Sequence, residues 1–473
     1  MNAILTMSSM VFPLITFRYV SGILLPEGTG RVSFAISLIS YFQMFAQLGI
    51  PTYGIRACAM VRDNREALTR TAHELLAINL IVSALAYIGL ALALVFVPSL
   101  RDDRPLYLVV SATILLSAIG MEWLYKALEQ YTYITVRSIL FKLIAMAAMF
   151  LLIHSKNDYV IYGGISVFAS SAANIVNLFH ARKYISFRPV GGYHIGRHKK
   201  AVLVFFAMSC ATTVYTNLDT VMLGIMAAKT DVGYYDAAVK VKNILVSIVT
   251  SLGTVLLPRA SYYIEQRMFD SFKQISAKAL NFVMLAALPL MVFFMIFARQ
   301  SIFFLTGGTE YAPAVVPMQV VMPTLLFIGI TNILGIQILV PLGREQVVLI
   351  SEIAGAVTNL VLNAILIPEF AATGAAIGTL AAEFVVLLVQ YMALRHQAAF
   401  RRIQYGKILL ALSAACAGSI WILRLKLGSF LTLLIAAGIY FTIYGCVLLV
   451  VKEPLTSEIA RQSLKRLRRR KET

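Results

Sequence analysis

Long runs of apolar residues alternate with short polar connections along the whole chain. A helix needs roughly 17–25 apolar residues to cross the hydrocarbon core of a bilayer. The pattern therefore predicts an all-α polytopic membrane protein of about 14 transmembrane helices. The predicted spans lie near residues 4–24, 33–53, 75–97, 107–125, 136–153, 160–180, 201–226, 234–256, 276–298, 315–339, 346–366, 373–394, 407–424 and 429–451.

Lysine and arginine are concentrated on one side of this predicted arrangement. If the N-terminus lies in the cytoplasm, the inner connections hold about 29 of these residues and the outer ones about 8. The positive-inside rule then predicts that both termini are cytoplasmic. The polybasic run 465–471 is either a topology anchor or a contact with anionic membrane lipids.

The spans are expected to form two lobes of six helices. Pro51 and Pro258 follow spans two and eight, and Ile153 and Ile367 close spans five and eleven, so related features recur at an offset of about 210 residues. The predicted organisation is an N-terminal lobe at 1–180, a basic cytoplasmic linker at 181–200, a C-terminal lobe at 201–398, two additional helices at 399–451 and a polybasic tail at 452–473.

Composition excludes several classes of protein. Hydrophobic residues make up 59% of the 473 residues and charged residues only 13%, with a mean hydropathy of +0.81. Soluble domains carry about a quarter charged residues, so lipid must be the main solvent of this surface. The net charge of +19 would indicate a nucleic-acid partner for a soluble protein. Here the inner connections account for it, and no nucleic-acid partner is expected.

The usual signatures of catalysis are missing from the sequence. There is no Walker A motif, no GxGxxG at a strand–helix turn, no GxSxG and no HExxH. The four cysteines have no CxxC spacing, so no metal site is predicted. We expect no catalytic residues, no enzymatic activity and no cofactor. If the protein is a transporter, the energy for transport would come from a proton or sodium gradient, the membrane potential or the substrate gradient.

Charged side chains inside the predicted spans are candidates for a transport site, because such residues are costly in lipid and usually face a cavity or a partner. Arg18, Lys142 and Lys240 could form a cationic lumen that binds an anionic ligand such as a diphosphate. For each residue alone, snorkelling to the interface or a local partner is the alternative. Glu383, near mid-membrane in span twelve, could couple to an ion or pair with a basic residue.

Asp219 and Lys240 are predicted to form a gating ion pair. At about 1.5 Å per residue, Asp219 lies about 10 Å from the outer end of span seven and Lys240 about 9 Å from the outer end of span eight. Neighbouring antiparallel helices would bring the two side chains to one depth. The pair either locks two helices together or breaks and reforms as the lobes move.

Four stretches of the sequence carry a family resemblance. They are Phe17-Arg-Tyr-Val-Ser-Gly-Ile-Leu24 with Pro26-Glu-Gly-Thr-Gly30, Ser40-Tyr-Phe42, Leu48-Gly-Ile50 and Tyr53-Gly-Ile-Arg56; Asn217-Leu-Asp-Thr-Val-Met-Leu-Gly224 with Val232-Gly-Tyr-Tyr-Asp-Ala-Ala-Val-Lys240; Leu257-Pro-Arg-Ala-Ser-Tyr-Tyr263; and Pro341-Leu-Gly343 with Asn363-Ala-Ile-Leu-Ile-Pro368 and Gly374-Ala-Ala376. In this order and spacing, they resemble polysaccharide-biosynthesis flippases of the Wzx type, within the multidrug/oligosaccharidyl-lipid/polysaccharide exporter superfamily.

The resemblance implies a two-lobed helical fold around a central cavity. It implies a flippase that moves undecaprenyl-diphosphate-linked oligosaccharide repeat units from the inner to the outer leaflet of the bacterial cytoplasmic membrane, for O-antigen, capsule or exopolysaccharide assembly. It also suggests a polysaccharide polymerase as a partner. Family positions that match here include Lys142, Asp219 and Lys240. Near the end of span one, family members commonly read Phe-Pro-Tyr-Ile-Ser-Arg, whereas Arg18 stands here in the proline position and Gly22 in the arginine position.

Two other functions fit parts of the sequence. An ion-coupled multidrug antiporter of the same superfamily would favour acidic lumen residues, whereas the spans here are richer in basic ones. A membrane-embedded polysaccharide polymerase would need a sizeable outer loop with catalytic Arg or His residues. The predicted outer loops are short and contain only His154, so this third possibility ranks last.

Overall fold

The computed structural model describes residues 2–251, 253–395, 405–425 and 427–458. These residues form helices joined by short turns, and no β-strand occurs among them, which confirms the predicted all-α fold. Within the described part of the chain, ten helices are long and apolar enough to cross a membrane. The predicted polybasic run 465–471 lies outside the described residues.

The chain forms two compact units, and the first is Met1–Asp236. Its helices are α1 (Asn2–Gln47), α2 (Ile50–Ala59), α3 (Arg65–Phe96), α4 (Arg104–Ile119), α5 (Glu122–Ala127), α6 (Tyr131–Leu152), α7 (Tyr159–Val167), α8 (Ala173–His180), α9 (Lys199–Met226) and the first turns of α10 (Lys229–Thr250). A π-helical turn at Phe168–Ala172 joins α7 to α8, so these two helices form one continuous apolar span.

The second unit is Ala237–Thr473. After the remainder of α10, its helices are α11 (Gly253–Glu265), α12 (Phe269–Ile296), α13 (Ala298–Thr306), α14 (Val315–Val321), α15 (Thr324–Thr331), α16 (Glu345–Leu394), α17 (Tyr405–Ser419) and α18 (Ser429–Val450). A π-helical segment at Asn332–Leu339 extends α15. The two C-terminal helices α17 and α18 pack on each other and on α12.

Helix α16 contains two of the predicted spans, and α1 contains the first span and most of the second. In α1 the helix is interrupted at Leu25 (φ 60°), and in α16 it is interrupted at Ala371 (φ 46°). An uninterrupted helix of 50 residues would be about 75 Å long, more than twice the thickness of the hydrocarbon core. Beyond Ala371 the chain turns back, since a Cβ on Gly374 would lie only 2.3 Å from the carbonyl oxygen of Leu366. The breaks therefore turn single helices into paired spans.

Helix α1 is central to the first unit, where it packs against α3, α4, α6 and α9. Two glycines let α9 approach it closely. A Cβ on Gly224 would lie 2.0 Å from the Phe34 ring. A Cβ on Gly49, which has φ +70°, would lie 2.4 Å from the Phe205 carbonyl carbon. Helix α9 is thus in close contact with α1 at Phe34 and with the turn between α1 and α2 at Gly49, and the surface between these contacts is left for a cavity.

The predicted lobe boundary at 181–200 does not coincide with the division between the compact units. Helix α9 follows that linker, yet it belongs to the first unit and packs against α1 and α2. The two six-helix lobes, and the exact number of 14 spans, stay predictions.

Candidate functional site

A cavity of about 450 Å³ lies between the second half of α1, the start of α2 and the first half of α9. All three elements belong to the first unit. The described residues that line it are Ser40, Gln43, Met44, Gln47, Gly49, Pro51, Thr52, Phe205, Met208, Ser209, Thr212, Thr213 and Asn217. No charged side chain is among these lining residues. The cavity is therefore polar but electrically neutral.

The polar residues of the cavity form one stripe on each helix. On α1 they are three and four residues apart. On α9, Ser209, Thr213 and Asn217 are four residues apart, with Thr212 beside them, so each set lies on a single helix face. The two sets are Ser40, Gln43 and Gln47 on α1, and Ser209, Thr213 and Asn217 on α9. Because α1 and α9 pack against each other, both stripes face the same space.

Several of these side chains have hydrogen-bonding capacity to spare. Gln43 Nε2 donates to Ser117 Oγ at 3.0 Å, which leaves its carbonyl oxygen available. Within the part of the chain that the structure describes, the side chains of Gln47, Ser209 and Thr213 make no hydrogen bond to the protein. Amides and hydroxyls both donate and accept, so this wall can bind an uncharged polar ligand.

The predicted cationic residues lie elsewhere. Arg18 is exposed on the first half of α1, and Lys142 is half-buried on α6. The two helices are joined where Tyr19 Oη donates to the carbonyl oxygen of Ile153 at 3.0 Å. Neither Arg18 nor Lys142 is among the described residues that line the neutral cavity. The cationic lumen formed by these residues with Lys240 stays a prediction.

Asp219 has a polar partner that the sequence did not suggest. Tyr235 Oη donates to Asp219 Oδ2 at 2.6 Å, which links α9 to the first turns of α10. Lys240 lies five residues beyond Tyr235 and is half-buried on α10. The gating ion pair between Asp219 and Lys240 stays a prediction.

Glu383 is buried on the second half of α16, with an exposed fraction of 4%. On the first half of the same helix, Asn363 Nδ2 donates to Asn359 Oδ1 at 3.0 Å. The two halves meet where Gly378 approaches the buried Asn363 side chain. The role of Glu383 in ion coupling stays a prediction.

A second recess, of about 260 Å³, lies in the second unit and is almost wholly apolar. Its walls come from α12, α15, α16 and α17. The residues that line it are Leu280, Met284, Ile330, Phe384, Leu387, Leu388, Tyr391 and Tyr405. This recess is apolar, whereas the neutral cavity has polar walls.

Comparison with known families identifies the chain. The family model described as "Polysaccharide biosynthesis protein" matches residues 1–264, more than half of the sequence. The chain belongs to this family. The matched region contains the whole neutral cavity. A second model, MatE, matches residues 205–365.

Curated relatives of this family member extend over most of its length. It is 24% identical over 400 residues to a protein of Escherichia coli (strain K12) named "Putative O-antigen transporter", with 83% of this chain and 95% of the relative covered. It is also 24% identical over 390 residues to a protein of the same name from Shigella dysenteriae, with 81% and 96% covered.

Solved structures show the same fold. The inward closed conformation of the lipid II flippase MurJ matches with a TM-score of 0.72 at 17% identity, covering 98% of this chain and 99% of that one. An inward-facing multidrug-resistance MATE transporter of the MOP superfamily matches with a TM-score of 0.66 at 13% identity, covering 83% and 95%. This polysaccharide biosynthesis protein therefore has the fold of these membrane transporters.

The neutral stripes were not predicted from the sequence, because only charged residues inside the spans stand out by their energetic cost in lipid. The sequence does contain a pattern that could have indicated them, because hydroxyl and amide side chains recur at helical spacing inside the predicted spans 33–53 and 201–226. On α9, Thr212, Thr216 and Thr220 also recur four residues apart, so the pattern alone does not single out the stripe that faces the cavity. What the sequence could not indicate is that the two faces meet.

Proposed function

We propose that this polysaccharide biosynthesis protein is a flippase for undecaprenyl-diphosphate-linked oligosaccharide repeat units. It carries them from the inner to the outer leaflet of the bacterial cytoplasmic membrane by alternating access. The main support is a neutral polar cavity inside a membrane-spanning unit of a chain whose similar relatives are named O-antigen transporters. A polar headgroup can occupy such a cavity while its prenyl tail remains in lipid, which lowers the cost of moving the headgroup through hydrocarbon.

Several finer roles belong to the same proposal. Arg18, Lys142 and Lys240 contact the diphosphate, and Asp219 with Lys240 acts as a gate. Glu383 couples transport to a proton or sodium gradient, because a buried carboxylate can change its charge or bind a cation as the protein moves. Both termini lie in the cytoplasm, and a polysaccharide polymerase receives the product.

The proposal is tested by deleting the native gene and analysing the lipid fraction. Loss of the flippase should cause undecaprenyl-diphosphate-linked repeat units to accumulate and surface polysaccharide to disappear, and the wild-type gene on a plasmid should reverse both changes. Unchanged lipid intermediates together with unchanged surface polysaccharide would contradict the proposed function.

The proposed cationic contacts are tested by removing single charges. Arg18→Gln and Lys240→Met should each lower surface polysaccharide while the protein remains in the membrane, since each removes a counter-charge to the diphosphate. Arg299→Gln is the control, because Arg299 lies in the first turn of the short helix α13, with its guanidinium 5.3 Å from the Phe303 ring. Normal polysaccharide in both variants, at normal protein levels, would remove these residues from the mechanism.

A multidrug antiporter is the second candidate, and the match of the MatE model to residues 205–365 favours it. An antiporter for organic cations would be expected to place a carboxylate in its cavity, whereas the described lining of the neutral cavity has none. Proton-driven efflux of a cationic dye from everted vesicles, lost in Glu383→Gln, would support this alternative.

A further inference from the structure

We propose that the neutral cavity between α1 and α9 binds uncharged sugar residues of the repeat unit, and that Gln47, Ser209 and Thr213 select among sugars. The inference rests on the proposed function and deepens it. The two parts of the substrate then bind at different sites: the sugar in the neutral cavity, and the diphosphate on cationic side chains elsewhere in the protein. The protein would thus recognise the repeat unit by its sugar and not only by its shared lipid diphosphate.

The hydrogen-bonding groups of the cavity suit sugar hydroxyls. Each hydroxyl of a sugar ring both donates and accepts, as do the side chains of Gln47, Ser209 and Thr213. These three side chains have no partner among the described residues, so a ligand does not have to displace an existing bond within the protein. A sugar that lacks a matching hydroxyl leaves a polar group unpaired, which is the usual origin of strong discrimination.

The absence of charge in the described lining disfavours acidic sugars. A carboxylate or phosphate moved into this cavity would lose water without gaining a counter-charge, and burying an unpaired charge is far more costly than burying a paired hydroxyl. The cavity should therefore prefer hexoses and N-acetylhexosamines to uronic acids or phosphorylated sugars. It should not be the diphosphate site for the same reason.

The cavity also has apolar walls that suit the C–H faces of a sugar ring. Met44, Phe205 and Met208 line it beside the polar stripes. Methionine is flexible and polarizable, and an aromatic ring offers a flat apolar surface. At about 450 Å³ the cavity lies near the lower end of the range for small-ligand sites, about 300–1,000 Å³, so it takes part of a repeat unit and not the whole.

The test compares binding of three lipids to the purified full-length protein in nanodiscs. They are undecaprenyl diphosphate linked to a neutral hexose, the same lipid linked to glucuronic acid, and undecaprenyl diphosphate without sugar. The wild-type protein should bind the neutral-sugar lipid at least about tenfold more tightly than the other two, since several hydrogen bonds form only with the neutral sugar.

Single variants then locate the effect. Gln47→Met, Ser209→Ala and Thr213→Val should each lower affinity for the neutral-sugar lipid by about 2- to 12-fold and leave affinity for the sugar-free lipid unchanged. The matched control is Thr358→Val on α16, because the Thr358 hydroxyl donates to the carbonyl oxygen of Ala354 in its own helix at 2.8 Å and Thr358 is not among the lining residues. It should leave all three affinities unchanged. Thermal melting of each variant establishes that it is folded.

The possible outcomes separate this inference from the function on which it rests. Equal binding of lipids with and without sugar would keep the flippase function and overturn the sugar site. The same conclusion would follow if the three variants lost affinity for all lipids equally. Binding of none of the three lipids by folded wild-type protein would overturn the proposed function and the sugar site together.

Discussion

At the residue scale, Glu74 on α3 is a buried carboxylate with an exposed fraction of 1%. It accepts hydrogen bonds from the backbone N–H of His194 at 2.6 Å, from Arg197 Nε at 3.0 Å and from His198 Nε2 at 2.8 Å. Nδ1 of His198 lies 2.7 Å from Tyr53 Oη on α2. The connection before α9 is thereby attached to α2 and α3. This attachment positions the start of α9, which forms one wall of the neutral cavity.

Neutralising this carboxylate should destabilise the protein. Glu74→Gln keeps the shape of the side chain but removes the negative charge that accepts hydrogen bonds from Arg197 and His198. A hydrogen bond to a charged group typically contributes about 1.5–3 kcal/mol. We expect a clear fall in melting temperature in detergent, measured by size-exclusion chromatography of heated samples. Glu129→Gln is the control, because Glu129 pairs with Arg62 at 3.2 Å on the surface, where ion pairs contribute about 0–1 kcal/mol. Equal melting temperatures for the two variants would contradict the structural role of Glu74.

At the scale of helices, α1 and α10 approach each other within the first unit through two glycines. A Cβ on Gly30 would lie 1.8 Å from the carbonyl oxygen of Lys229, and a Cβ on Gly233 would lie 2.0 Å from the carbonyl oxygen of Pro26. Small residues allow the backbones of membrane helices to pack this closely. Ser33 Oγ, one turn further along α1, donates to Asp236 Oδ2 at 2.8 Å. The contact therefore combines close packing with a hydrogen bond.

Adding a methyl group at this contact should separate the helices. In Gly233→Ala the obstructing atom belongs to the backbone and cannot rotate away, so overpacking should cost at least about 1–3 kcal/mol. The expected result is a lower melting temperature and less monodisperse protein. Gly438→Ala is the matched control, because a Cβ there meets nothing within 4 Å in the middle of α18, and alanine favours a helix over glycine. A melting temperature for Gly233→Ala at or above that of Gly438→Ala would contradict this packing.

At the scale of the whole molecule, the distribution of basic residues predicts which connections face the cytoplasm. The short connection between α6 and α7 is predicted to face outward, and the connection between α2 and α3 inward. In the structure, the side chain of Lys156 in the first connection and that of Asp63 in the second are exposed. In the outer connection, the Asp158 carboxylate accepts hydrogen bonds from the backbone N–H groups of His154 and Ser155, and these bonds hold the pKa of Asp158 below its usual value.

This topology can be measured with a membrane-impermeant maleimide. In a variant with the four native cysteines replaced by alanine, Lys156→Cys should be labelled in intact spheroplasts, because the connection before α7 is outside. Asp63→Cys should be labelled only after permeabilisation. The reverse pattern would invert the predicted orientation, and labelling of both positions without permeabilisation would contradict an odd number of spans between them.

The sequence by itself determined that lipid is the main solvent around this protein, that its fold is all-α, and where its long apolar segments lie. Those properties depend on the length of each run of consecutive apolar residues, which can be read directly from the sequence. It also contained the family motifs, since Gly30, Gly224 and Gly233 lie within the quoted stretches and each is needed where two helices approach closely.

Only the tertiary structure decided which of the many polar faces belong to a site. Gln47 and Thr213 are far apart in the sequence, and helical periodicity cannot indicate which helix a face will meet. The same holds for Glu74, whose partners lie more than a hundred residues later in a connection that the sequence identifies only as basic. A charged residue in a span is conspicuous because of its cost in lipid, whereas a neutral hydroxyl or amide becomes informative only when packing places it on a cavity wall.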